Sequence, residues 1–158
     1  MDDRLFRDAM GKFATGVTVL TTINEDEPHG MTANGFMSVS LAPKLVVISI
    51  GHKARFLEKV QRSGVFAVNI LAADQQHYSK IFAGQQEGQI EFNELAGLPV
   101  LDGALAQVAC KVIAEHLEGD HTLFIGEVLE IHLSDGQPLL FFGGKYRSLA
   151  EIEVVENL

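Results

Sequence analysis

Apolar and polar positions along this chain recur at two periods, and the changes of period mark its elements. Leu5, Phe6, Ala9, Met10 and Phe13 keep helical spacing and predict an N-terminal helix stopped by Gly16. "GVTVLTTI" is a β-branched run and predicts a strand, closed by the breaker-rich turn "NEDEPHG". Residues 29–44, "HGMTANGFMSVSLAPK", predict a second strand. At period two, Thr32, Asn34, Ser38 and Ser40 share one face, and Met31, Ala33, Met37, Val39 and Leu41 the other. A strand face meeting water mixes in Lys and Glu, whereas this one carries only small neutral hydrogen-bonding groups. "KLVVISI" is apolar on both faces and predicts a buried third strand.

"ARFLEKVQRSG" returns to helical period, with Arg55, Lys59 and Arg62 on one face and Phe56, Leu57 and Val60 on the other. "VFAVNIL" reads as strand, and "DQQHYSKIFAG" as a short helix capped by Asp74. "QQEGQIEFNELAGLPVLDG" has little periodicity and reads as a long loop. Two longer β-runs follow, joined by a hairpin at "EGDH". Val108, Cys110, Val112 and Ala114 share a face of the first. In the second the odd row Leu123, Ile125, Leu129, Ile131 and Leu133 is apolar, with Glu130 and His132 pointing out. "LLFFGGKY" predicts a last strand. Strand–helix alternation is missing from the second half, so a mostly β, largely antiparallel small barrel with a few peripheral helices fits best. Residues 1–158 are expected to form a single domain.

Composition narrows the partners. The formal charge of −9 argues against nucleic acid or an anionic membrane. The apolar runs fall short of a membrane-spanning helix, the charged start is no secretory signal, and the single Cys110 suits a reducing cytoplasm. Five of the twelve basic residues (Lys44, Lys53, Arg55, Lys59 and Arg62) crowd between positions 44 and 62 against one acid, Glu58. Such an island suits a small anionic ligand, or is simply a solvated helix face.

Phosphate loops fail as an explanation. "GKFATGVT" has the glycine interval of a P-loop but Val17 in place of its lysine, and no G-x-G-x-x-G follows a strand. Cys110, His116 and His121 match no zinc spacing, and a thiol on an apolar face is inert, so no metal site is assigned. Gly119, Asp120 and His121 occupy a strand–strand corner, where a histidine is either reachable by a ligand or the tip of a hairpin in water. Glu127, just after Gly126, marks either a bulge or a carboxylate facing a site. Taken jointly, a neutral strand edge suits a flat heterocycle, the basic segment its phosphate, and the rim histidine a second ring.

The series "GVTVLTT", "GMTANGFMSVSLAP", "FAVNIL", "IFAG", "GALAQVACKV", "GDHTLFIGEV" and "PLLFFGGKY" resembles, in that order, the short-chain flavin reductases of two-component monooxygenases. The likeness runs from Gly16 to Tyr146. It implies a homodimeric split β-barrel and non-covalent FMN or FAD reduced by NADH or NADPH. It also implies reduced flavin that diffuses to an oxygenase partner. By position it puts Thr32, Ala33 and Asn34 along the flavin ring, and Ser38 and Ser40 near the ribityl-phosphate chain. Lys53 and Arg55 meet the phosphate, while Phe82, Ala83 and Gly84 close another side of the pocket. His121 is expected at the nicotinamide as the catalytic orienting group, and Tyr146 near the flavin or the dimer seam. Gly35 stands where similar sequences often carry Ser or Ala. Two other readings stay open: a flavin-binding electron-transfer or storage module, and a barrel serving only as an interaction subunit.

Overall fold

A computed structural model describes residues 1–150. Its elements run α1 (Asp3–Met10), β1 (Thr15–Gly16), β2 (Thr18–Asn24), β3 (Glu27–Ala33), β4 (Phe36–Leu41), β5 (Lys44–Gly51), α2 (Phe56–Ser63) and β6 (Val65–Ile70). There follow α3 (Gln76–Phe82), β7 (Asn93–Leu95), β8 (Leu98–Val100), β9 (Ala106–Glu118), β10 (His121–Leu133), β11 (Leu140–Phe142) and β12 (Lys145–Arg147). Seven strands form one antiparallel sheet in the order β3-β2-β6-β9-β10-β5-β4.

That order corrects the reading of residues 29–44 as one strand. β3 and β4 lie at opposite margins of the sheet, yet only Asn34 and Gly35 separate them. The sheet must therefore coil until its margins meet at this corner, which makes a split barrel. Thr18 Oγ1 donates to Ala33 O on one side of the corner, and Ser49 N–H to Gly35 O on the other. A Cβ on Gly35 would stand 3.2 Å from Ser49 Cβ, so the glycine permits the close approach. Thr32 consequently shares no face with Ser38 and Ser40, whose strand is further bent by a bulge at Val39.

Inside the coil, Leu20, Ile48, Ile50, Phe66, Val68, Cys110 and Phe124 are fully buried, and Phe56 and Val60 of α2 pack against them. The apolar face of α2 is as its period predicts. β5 buries only alternate residues, Val46, Ile48 and Ile50, instead of both faces. On β10 the even row Thr122, Phe124 and Gly126 is the buried one, while Leu129, Ile131 and Leu133 of the odd row are exposed. Outside the barrel, Val17, Val19, Leu71, Leu101 and Leu139 make a second core beneath α3 and the small sheet β1-β11-β12. Four local expectations also change. α1 ends at Met10 with Gly11 as its cap, and "LLFFGGKY" folds as the β11–β12 hairpin through Gly143 and Gly144. The expected long loop contains the β7–β8 hairpin. Asp74 does not cap α3: a 3-10 turn at Ala73–Gln75 precedes it, and Gln75 Oε1 accepts the Ala72 N–H.

Candidate functional site

β3 brings Thr32 and Ala33 to the barrel corner, opposite α3 and the β11–β12 hairpin. Thr32 Oγ1 donates to Ser79 O at 2.6 Å, and the Ser79 and Tyr146 hydroxyls share a 2.6 Å hydrogen bond. This knot ties three elements together and leaves beside it a cavity of about 280 Å³. Five of the expected residues, Thr32, Ala33, Asn34, Ala83 and Tyr146, line it. Val17, Ser79, Gln85, Phe141 and Gly144 complete the wall, and sequence reasoning missed them. Ser79 is hidden in an ordinary amphipathic helix, whereas the Gly143–Gly144 pair was a visible turn signal overridden by its apolar neighbours. The wall holds hydroxyls, side-chain amides, apolar groups and an aromatic face, and among the described residues it has no carboxylate, amine or guanidinium. Phe82 stands behind it, against Gly30, where a Cβ would come within 2.6 Å of the ring. Gly84, at φ +74°, ends α3 beside Ala83.

This cavity is one end of a trough. Asn34, Phe141 and Gly144 are shared with a second space of about 640 Å³, whose other wall is α1 and the turn after it, including Phe6, Arg7 and Lys12. Phe6 and Arg7 are shared in turn with a third, about 400 Å³, that ends at Asp120 and His121. His121 thus lies on the trough, at the end away from Thr32 and Tyr146. Its Nδ1 is 2.8 Å from Asp120 Oδ1, and the bond to His121 holds the Asp120 carboxyl below the usual carboxylate range. His52 buttresses the hairpin, its N–H donating to Asp120 O and its Nε2 lying 3.2 Å from Thr122 Oγ1.

Lys53 and Arg55 are exposed on the β5–α2 connection at the same end as this hairpin, and line none of the three spaces. Ser38 and Ser40 sit on the edge strand β4, outside them as well. Glu127 is half-buried opposite Lys111 and Leu45. Cys110 is buried in the barrel, and desolvation pushes its thiol up to about 12, which removes it as a nucleophile.

Fold and trough define a class: a small split barrel whose surface trough has, at one end, a neutral donor set suited to a planar heterocycle, and Arg7 and Lys12 on the wall of its larger middle space. Comparison with known proteins makes this specific. The family model described as flavin reductase like domain matches residues 10–150. The chain is 46% identical over 148 residues to an NADH-dependent flavin reductase of a Rhodococcus species, covering 90% of this chain and 84% of that one. It is 37% identical over 145 residues to the reductase component of 4-hydroxyphenylacetate 3-monooxygenase of Thermus thermophilus, covering 91% and 95%. Among solved structures, flavin reductase PheA2 in its native state aligns with a TM-score of 0.94 and 61% identity over 96% of this chain and 100% of that one. The NADH:FAD oxidoreductase SgcE6 of Streptomyces globisporus, solved with NAD and FAD fragments, aligns at 0.87 and 37% identity, over 94% of each chain. The chain belongs to the flavin reductase family.

Proposed function

We propose that this protein transfers a hydride from NADH or NADPH to FMN or FAD and releases reduced flavin to an oxygenase component. The observation that carries the reading is the continuity of the neutral cavity with the longer trough through Asn34, Phe141 and Gly144. A ring held in the first can be met face-on by a second ring entering from the other. The flavin supplies the hydride-accepting chemistry when bound. The protein's part is to align two rings at near-attack distance, roughly 3–3.5 Å, and to keep water from between them.

Thr32, Ala33 and Asn34 line the ring, and Ala83 and Tyr146 close over it, backed by Phe82 and Gly84. Thr32 has spent its hydroxyl proton on Ser79 O, so towards a ligand it offers lone pairs, while Asn34 and Gln85 supply donors. Lys53 and Arg55 take the flavin phosphate. His121 orients the nicotinamide dinucleotide and is not required as a proton donor. Ser38 and Ser40, which like Lys53 and Arg55 lie outside the three spaces, approach the ribityl-phosphate chain. A homodimer covers the exposed apolar side chains of β4, β9 and β10, among them Met37, Leu41, Ile113, Leu129 and Ile131. Among the described residues no helix is long and apolar enough to cross a membrane.

Anaerobic mixing of the protein with NADH and FMN tests the reading. Bleaching of the flavin's visible band at a rate that saturates with protein and substrate is expected. Flavin that binds but stays oxidised would point instead to a storage or electron-transfer module, and the absence of binding to neither.

A further inference from the structure

The family match begins at residue 10, so the wall that α1 gives to the trough stands almost wholly outside it. α1 has no buried residue. It is fastened at its end, where Gly143 N–H donates to Gly11 O at 2.9 Å. Arg7 borders both larger spaces of the trough, and Lys12 the 640 Å³ one. Among the described residues neither cation has a carboxylate within ion-pairing distance. Asp8 lies on the same wall, which leaves two cations against one carboxylate in a chain whose overall charge is −9.

We propose that Arg7 and Lys12 seat the diphosphate of the nicotinamide dinucleotide, which makes α1 a clamp for that substrate. The proposal deepens the flavin reductase reading and rests on it. With the flavin ring at Thr32–Asn34, the nicotinamide has to arrive at the wall of Asn34, Phe141 and Gly144, since hydride transfer needs ring contact. The remainder of the dinucleotide then extends along the 640 Å³ space. Its diphosphate, one ribose away from the nicotinamide, falls where Arg7 and Lys12 face the trough. A guanidinium matches phosphate oxygens in pairs, and the ammonium adds a point charge. The far space blocks any deeper position for the anion, because Asp2, Asp3 and Asp120 border it. Phe6, 55% exposed and shared by the 640 and 400 Å³ spaces, offers an aromatic face to the adenine, which brings the adenosine end of the dinucleotide to His121.

The Arg7→Gln/Lys12→Gln variant removes both charges from exposed positions. NADH oxidation is measured with riboflavin as acceptor, so that no flavin phosphate is present, and riboflavin and FMN affinities by fluorescence titration. The KM for NADH rises roughly tenfold at low salt, the loss falling on KM rather than kcat, as expected for two charge-assisted contacts at a solvated site. The wild-type KM climbs with ionic strength, the variant's stays flat, and Arg7→Lys restores part of the difference. Unchanged NADH KM overturns the proposal. So does a fall in FMN affinity with riboflavin and NADH unaffected, which would assign these cations to the flavin's phosphate. Wild-type protein that oxidises no NADH sinks the reductase reading itself, a result distinct from both.

Discussion

Tyr146 and Ser79 allow the knot at the ring cavity to be measured as a free energy. Tyr146→Phe removes one hydroxyl from a 2.6 Å bond and leaves the Ser79 hydroxyl, in a fully buried residue, without its partner. The bond itself contributes about 1 kcal/mol, and stranding a buried hydroxyl adds about 1–3 kcal/mol, reduced where the serine can turn to a carbonyl one helical turn back. A loss of about 2 kcal/mol is expected, or roughly 4–8 °C in Tm for a chain of this size. Ser79→Ala costs less, about 1 kcal/mol, because the half-buried Tyr146 hydroxyl can still reach water. The double variant leaves nothing stranded and should resemble Ser79→Ala alone, giving a coupling of about 1–2 kcal/mol. Urea unfolding of all four proteins supplies the cycle, and riboflavin titration of each reports on the cavity. Affinity should fall several-fold in Tyr146→Phe, whose ring is no longer held in place. Stability losses that simply add, within about 0.5 kcal/mol, would refute the claim that these hydroxyls hold α3 to β12.

Arg55→Ala should weaken FMN binding in a salt-sensitive way and leave riboflavin untouched; equal FMN affinity by fluorescence titration rules out its phosphate role. His121→Ala should raise the KM for NADH more than it weakens flavin binding, and let the Asp120 carboxyl return toward its ordinary value in an NMR titration. Because the native Asp120 value is lowered, the pair's contribution is present above the unfolded carboxyl's pKa and is lost as pH falls through the native one. Cys110, with its thiol at about 12, should react with thiol reagents only as fast as the protein unfolds; labelling of the folded state at neutral pH contradicts this. Gly126→Ala places a Cβ 2.5 Å from Phe66 Cζ and 2.9 Å from Cys110 Cβ, and should cost about 2 kcal/mol or more in urea unfolding; a loss under about 0.5 kcal/mol would deny the close packing.

The parts legible in the chain were those decided locally. Two long β-runs around Gly119 and Asp120 could hardly be other than a hairpin, and the two faces of α2 follow from spacing alone. The corner at Asn34–Gly35 was invisible because alternation continues through it, while the cause of the break, Ser49 on another strand, is supplied by the tertiary fold. On β10 period two pointed to the odd row, which is the more apolar, but burial of Phe124 and exposure of Ile131 put the even row in the core. The register shifts at Ile125/Gly126 and Val128/Glu130 that interrupt the alternation come from pairing with β9. For the site, the resemblance led to Thr32, Asn34 and Tyr146, but the serine that joins Thr32 to Tyr146 lies 47 residues from the first and 67 from the second. No local pattern reports such a meeting. Arg7 and Lys12 escaped for the same reason: charge density along the chain drew attention to Lys53 and Arg55, whereas the trough is walled by a helix of ordinary composition.

The two-residue seam between β3 and β4 does double duty. Asn34 both finishes the closure of the coil and forms the partition between the two ring-sized spaces. Ligand preference and folding are therefore bound to one point in the chain, and evolution has little freedom to retune the partition without loosening the architecture. Adaptation to a different nucleotide has an easier road through α1, which borders the larger space, and the segment beyond α3, which borders the smaller one, since neither carries any of the barrel's weight.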